Sequence, residues 1–107
     1  MRAYDPLRRR GDFARVTRRG RRRAGTYLTC FVADGRRRTR VGITISGSIG
    51  GAVVRNRLRR RIKAILDRSL LDAPPWRDIV FIARPGAGEL RYPALADEVA
   101  RVFPAAP

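Results

Sequence analysis

Between Gly50 and Leu66 apolar residues recur at intervals of three and four: Val54, Leu58, Ile62, Ile65 and Leu66. This is the helical period. At about 100° per residue, the five cover roughly a third of the circumference. Asn56, Arg57, Arg59, Arg60 and Lys63 fill the remainder, and the segment contains no acid. Arg55 falls within the apolar arc, so it is expected to bend into a neighbouring groove. The pattern predicts a helix over 52–66 that ends near 67–71, because Ala73-Pro-Pro75 cannot continue it. With no acid to offset its field, the basic face calls for a polyanion beside it.

The rest of the chain alternates between the two periods. Phe13 and Val16 lie three apart in a short helix over Asp12–Arg19, stopped by Gly20. Arg21–Arg23 reads as a charged connector. In Tyr27–Ala33, Leu28, Cys30 and Val32 share one strand face, and Tyr27, Thr29 and Phe31 share the other. Asp34-Gly35 signals a turn, and Arg36–Arg40 reads as an exposed hairpin loop. The return strand, Arg40–Ser46, points Val41, Ile43 and Ile45 inward and Gly42, Thr44 and Ser46 outward. Arg77–Arg84 is almost continuously apolar, as a central strand is. Leu95, Val99, Val102 and Phe103 form the stripe of a closing helix over Tyr92–Phe103. Residues 1–10, with Leu7 as an anchor, and 104–107 read as mobile ends. The order αββαβα predicts a single α+β domain over 1–107, a two-layer sandwich of helices on a sheet.

Charge sharpens the functional reading. Lys and Arg total 25 against 9 acids, a net +16 in 107 residues. Lys63 is the one lysine. Arginine forks grip phosphate bidentately and stack on bases, so the excess points to nucleic acid. A hydrophobic content of 44% argues against a disordered chain. One cysteine, Cys30, and no histidine exclude a disulfide framework and a Cys/His zinc site, and suit a reducing cytoplasm. The chain has no apolar span of membrane length, and the aliphatic face of the 52–66 helix lacks Trp and Phe, which argues against membrane binding. Gly47–Gly51 offers backbone N–H groups to a phosphate but lacks the Gly-Lys-Ser/Thr of a nucleotide loop. The acids form no evident pair for two-metal hydrolysis. No catalytic residue and no metal site are therefore expected in the chain.

From Ala52 to Ile62 the chain resembles the protein subunits of bacterial ribonuclease P. That family carries an Arg-Asn-Arg helix after a Gly-x-Ala-Val lead-in, matched here by Gly50, Ala52, Val53, Arg55, Asn56 and Arg57, with Arg59, Arg60 and Lys63 following. Asp12-Phe13, the Arg40–Ser46 strand and Ile82-Ala-Arg-Pro85 fall in the family's order, so the resemblance covers about residues 7–103. It implies a ribosomal-protein-like fold with a left-handed crossover between parallel strands. It also implies a role in removing the 5′ leader of precursor tRNA, with Mg²⁺ and the chemistry on the catalytic RNA and one protein per RNA. Arg55, Asn56, Arg57, Arg59, Arg60 and Lys63 would bind RNA, while Phe13, Thr29, Phe31, Gly42 and Thr44 would line a cleft for the leader. Phe31 is the preferred stacking residue, because alternation sets it opposite Cys30. Two departures stand out: Thr17 takes the place of a second aromatic, and Gly47-Ser48 that of a basic pair. The alternative is a ribosomal or other structural RNA-binding protein.

Overall fold

Alternating apolar positions mark two of the strands, Leu28–Asp34 and Arg40–Thr44, and the side chains on the two faces of the sheet show how the molecule is layered. The computed structural model describes residues 3–69 and 74–103. The strands are β1 (Asp5–Pro6), β2 (Arg21–Ala24), β3 (Leu28–Asp34), β4 (Arg40–Thr44) and β5 (Arg77–Ala83). The helices are α1 (Arg10–Arg19), α2 (Ala52–Ser69) and α3 (Tyr92–Val102). They form a mixed α+β fold around one five-stranded sheet of order β1-β4-β5-β3-β2.

On one face, Leu28, Cys30, Val41, Ile79 and Phe81 pack with Leu58, Ile62 and Leu66 of α2 and Leu95, Val99 and Val102 of α3. On the other, Val80 packs with Leu7 and with Val16 of α1, joined by Phe13, Phe31, Ala33 and Ile82. The sheet is thus covered on both sides, and α1 adds a layer to the two expected. The fully buried Phe81 is the largest core side chain.

β5 is central, as its apolar run predicts, but its neighbours differ from expectation. It lies between β3, antiparallel, and β4, parallel. β3 and β4 therefore do not form a hairpin. The Asp34-Gly35 turn marks where β3 ends, whereas pairing is settled by the apolar strand that begins only at Arg77 and fits between them. α2 makes the crossover from β4 to β5. Arg21–Arg23 is likewise not a connector. It begins β2, an exposed edge strand paired antiparallel with β3, and charge on an edge strand discourages further pairing. The N-terminal segment differs too: Asp5–Pro6 pairs parallel with β4, and Tyr4 and Leu7 are buried on opposite faces of the sheet. Residues 1–2 and 104–107, expected to be mobile, lie outside the described residues.

Gly20 ends α1 without a left-handed turn, since its φ is −73°. Its role is close approach: a Cβ there would lie 2.5 Å from the Val16 carbonyl oxygen.

Candidate nucleic-acid interface

α2 buries Leu58, Ile62, Ile65 and Leu66, and this fixes which side chains face outward. Asn56 and Arg60 are exposed, and Arg57, Arg59 and Lys63 are half-buried. Arg57 Nη2 donates to the Gly88 carbonyl and Arg61 Nη1 to the Leu90 carbonyl, each at 3.4 Å. These two bonds tie α2 to the turn before α3. Arg59 Nη1 reaches Asn56 Oδ1 at 3.5 Å. None of these ties is to a carboxylate, so each guanidinium keeps its full positive field. Arg55, expected to bend into a neighbouring groove, is not among the residues lining the groove beside this helix. It is half-buried, and its Nε is buried without a hydrogen-bond partner.

A groove of about 450 Å³ runs beside this helix. The residues flanking β1 supply Tyr4, Leu7 and Arg8, α1 supplies Phe13, β4 supplies Gly42, and α2 supplies Arg59 and Lys63. Gly42 is required there: a Cβ would lie 2.4 Å from Phe13 Cζ. The ring therefore rests directly on the β4 backbone. An aromatic face next to two cations suits an unpaired nucleotide, with the base on the ring and phosphate on the charges.

The five expected cleft residues separate in the structure. Phe13 and Gly42 meet in the groove. Thr29 is buried, and its hydroxyl has no hydrogen-bond partner. Phe31 packs into the cluster with Val16 and Val80, away from the groove lining. Alternation correctly placed Phe31 opposite Cys30, but α1 then covers that face. Thr44 is exposed at the end of β4 and does not line the groove. Tyr4, Leu7 and Arg8 were missed. The signal was the three-residue spacing of Tyr4 and Leu7 in a stretch that otherwise reads as a basic tail.

A second polar centre was also missed. Asp78 is 1% exposed at the start of β5. It accepts from Arg40 Nε at 3.0 Å and Arg40 Nη2 at 2.8 Å, and also from Arg15 Nη2. Burial pushes its pKa up, but the hydrogen bonds and charges of Arg40 and Arg15 outweigh this and hold it below the ordinary value. A lone Asp inside an apolar run was the clue, because a buried carboxylate needs a cation. Burial also pushes the Cys30 thiol up to about 12 against the opposing charge of Arg23, so it is no nucleophile near neutral pH. Among the described residues, no group of three or more His, Cys, Asp or Glu could hold a metal ion. None of the described helices is long and apolar enough to cross a membrane.

The family model described as Ribonuclease P matches residues 1–106. The chain is 39% identical to the "Ribonuclease P protein component" of Acidothermus cellulolyticus over 100 residues, covering 91% of this chain and 83% of that one. It is 36% identical to the protein of the same name from Syntrophobacter fumaroxidans, covering 96% and 88%. Among solved structures, the RNase P protein from Thermotoga maritima superposes with a TM-score of 0.81 at 25% identity, covering 92% of this chain and 94% of that one. An RNase P protein mutant from Staphylococcus aureus superposes at 0.83 with 23% identity, covering 92% and 84%, a likeness of fold alone.

Proposed function

The chain belongs to the ribonuclease P protein family, and from that premise we propose that it clamps RNA while the catalytic RNA cuts the substrate. It is the protein component of an endoribonuclease complex that matures tRNA 5′ ends, and its partner in that complex is the ribonuclease P RNA. The outward row of α2, with Asn56, Arg57, Arg59, Arg60 and Lys63, holds phosphates of that RNA, with Arg55 beside it at the helix start. The groove takes the unpaired 5′ leader of precursor tRNA. Phe13 stacks on a base, Gly42 lets the strand lie close, and Arg59 and Lys63 neutralise its phosphates. Thr44 borders the path at the strand end, while Thr29 and Phe31 support the sheet from beneath.

Among the described residues no acid–base pair suited to hydrolysis is evident, which supports placing the chemistry in the RNA. General acid–base catalysis needs a positioned group with a tuned pKa. This chain has no histidine, and the buried carboxylates among the described residues are already committed: Asp78 to Arg15 and Arg40, and Glu98 to the Tyr27 and Leu28 backbone N–H groups and Arg101. Mg²⁺ held by the RNA would supply the hydrolytic chemistry, and the same reading takes one protein per RNA. The protein's contribution is to hold the leader and offset phosphate charge, so it matters most when Mg²⁺ is scarce.

The observation that carries this reading is the meeting of Phe13, Arg59 and Lys63 in one groove. The test is cleavage of precursor tRNA by the cognate catalytic RNA at low Mg²⁺, with and without the protein. We expect strong stimulation by the wild type. Phe13→Ala should weaken binding of leader-bearing substrate by about 5- to 150-fold, the worth of one stacked base, and leave mature tRNA binding intact. Equal loss for both RNAs would refute the leader groove. No observation favours the alternative of a structural ribosomal protein, which would co-purify with ribosomal RNA.

A further inference from the structure

Away from α2, a second concentration of arginine surrounds Arg15. Two adjoining depressions, of about 670 and 710 Å³, share Arg15 and Asp34 and so form one continuous band. It follows the end of the sheet where β3 leaves and β4 and β5 begin, then passes the C-terminal end of α1 to the β2 edge. No residue lining it belongs to α2, and none is shared with the groove that holds Phe13.

Its arginines fall into two groups. Arg15 and Arg40 are held by Asp78 and Asp12, Arg38 by Asp5, and Arg23 by the Val102 carbonyl. The other six, Arg9, Arg19, Arg21, Arg36, Arg37 and Arg77, have no side-chain partner among the described residues. The acids lining the band are Asp5, Asp12, Asp34 and Asp78, and three of them are engaged with the first group. The band therefore has fixed walls and a row of unmatched guanidiniums. In a chain at +16, gathering six of its like charges into one band destabilises the free protein. A polyanion laid along the band offsets that repulsion. The lining includes no aromatic residue, so nothing there stacks an unpaired base.

We propose that this band is a second phosphate-binding surface, which engages the sugar-phosphate backbone of a paired segment of the catalytic RNA separate from the segment held by α2. Arginine forks spaced along an open band fit the outer phosphates of a duplex, which are read without reference to sequence. The protein then bridges two parts of one RNA and restrains their relative position. This rests on the reading of the chain as a ribonuclease P protein, and the two fail separately.

The test uses the full chain and the cognate catalytic RNA. One variant carries Arg19→Ala, Arg21→Ala, Arg36→Ala and Arg37→Ala; a second carries Arg59→Ala, Arg60→Ala and Lys63→Ala. Affinity is measured across a salt series, and backbone protection is mapped by phosphate ethylation interference. Each variant should lower the slope of log K against log salt, the first by about 3 to 4 for four duplex phosphate contacts. Each should also erase a different cluster of interfering phosphates. Circular dichroism identifies any loss of fold, and in that case Arg36→Gln with Arg37→Gln, confined to the exposed loop, replaces the first variant. An unchanged slope and footprint with the band variant, beside a clear loss with the α2 variant, overturns the second surface and leaves the proposed function standing. No loss with either variant overturns both. Loss of one and the same cluster by both variants overturns the bridge.

Discussion

Asp78 shows how one residue orders a surface while remaining out of sight. Its carboxylate is buried, yet it sets the positions of Arg15 and Arg40, which line the arginine band. Because its pKa is depressed in the folded state, the group contributes stability that is fully present above the ordinary carboxylate value. That contribution is lost as pH falls through the depressed one. Asp78→Asn should therefore cost about 1–3 kcal/mol near neutral pH, the scale of a charged hydrogen-bonded contact. It should also flatten the acid limb of the stability curve. Urea unfolding at pH 7 and pH 3 checks both, and equal sensitivity of variant and wild type to acid would show that Asp78 is not the group that titrates. The sequence displayed Asp78 plainly but not its partners. Arg15 and Arg40 are 63 and 38 positions away and look like any other arginine in a chain with 24.

Among the elements, α2 was the most legible and β2 the least. The apolar stripe of α2 names its buried face because a helix can be read from its own period. Leu58, Ile62, Ile65 and Leu66 are all buried as that period requires. β2 offers no such signal, since Arg-Arg-Arg has neither alternation nor strand propensity. It is a strand because the free edge of β3 supplies its hydrogen bonds. The β3–β4 hairpin failed for the complementary reason: turn chemistry shows where a strand stops but not which partner it takes. Phe31 shows the same limit, for its face was right and its covering by α1 was invisible. The charged row of α2 leads to a two-sided expectation. Replacing Arg59, Arg60 and Lys63 by Ala removes mutual repulsion and improves helix propensity, so the free protein should melt higher while binding RNA more weakly. Thermal melts and filter binding would show this; a lower melting temperature would mean that these side chains support the fold.

At the scale of the molecule, charge and core oppose each other. The core fills both faces of the sheet, but the surface carries +16. In dilute buffer self-repulsion should leave the free chain partly unfolded, and sulfate should restore it by binding the native state preferentially. Circular dichroism across a sulfate titration is the check, with sodium chloride at equal ionic strength separating specific binding from screening. No gain in structure would show that the core alone suffices.

The middle position of β5 has a consequence for synthesis. Leu28 must pair with Ala83, and Val41 with Ile79, so the sheet spans most of the chain. As translation proceeds, the β2–β3 ladder can zip first, whereas β4 waits beside a gap until residues 77–83 emerge. Until then, nascent α2 is a cationic helix whose oily side has no sheet to cover it. A growing polypeptide in that condition is exposed to misassociation, and early capture by RNA would shield the charged side while the last strand arrives.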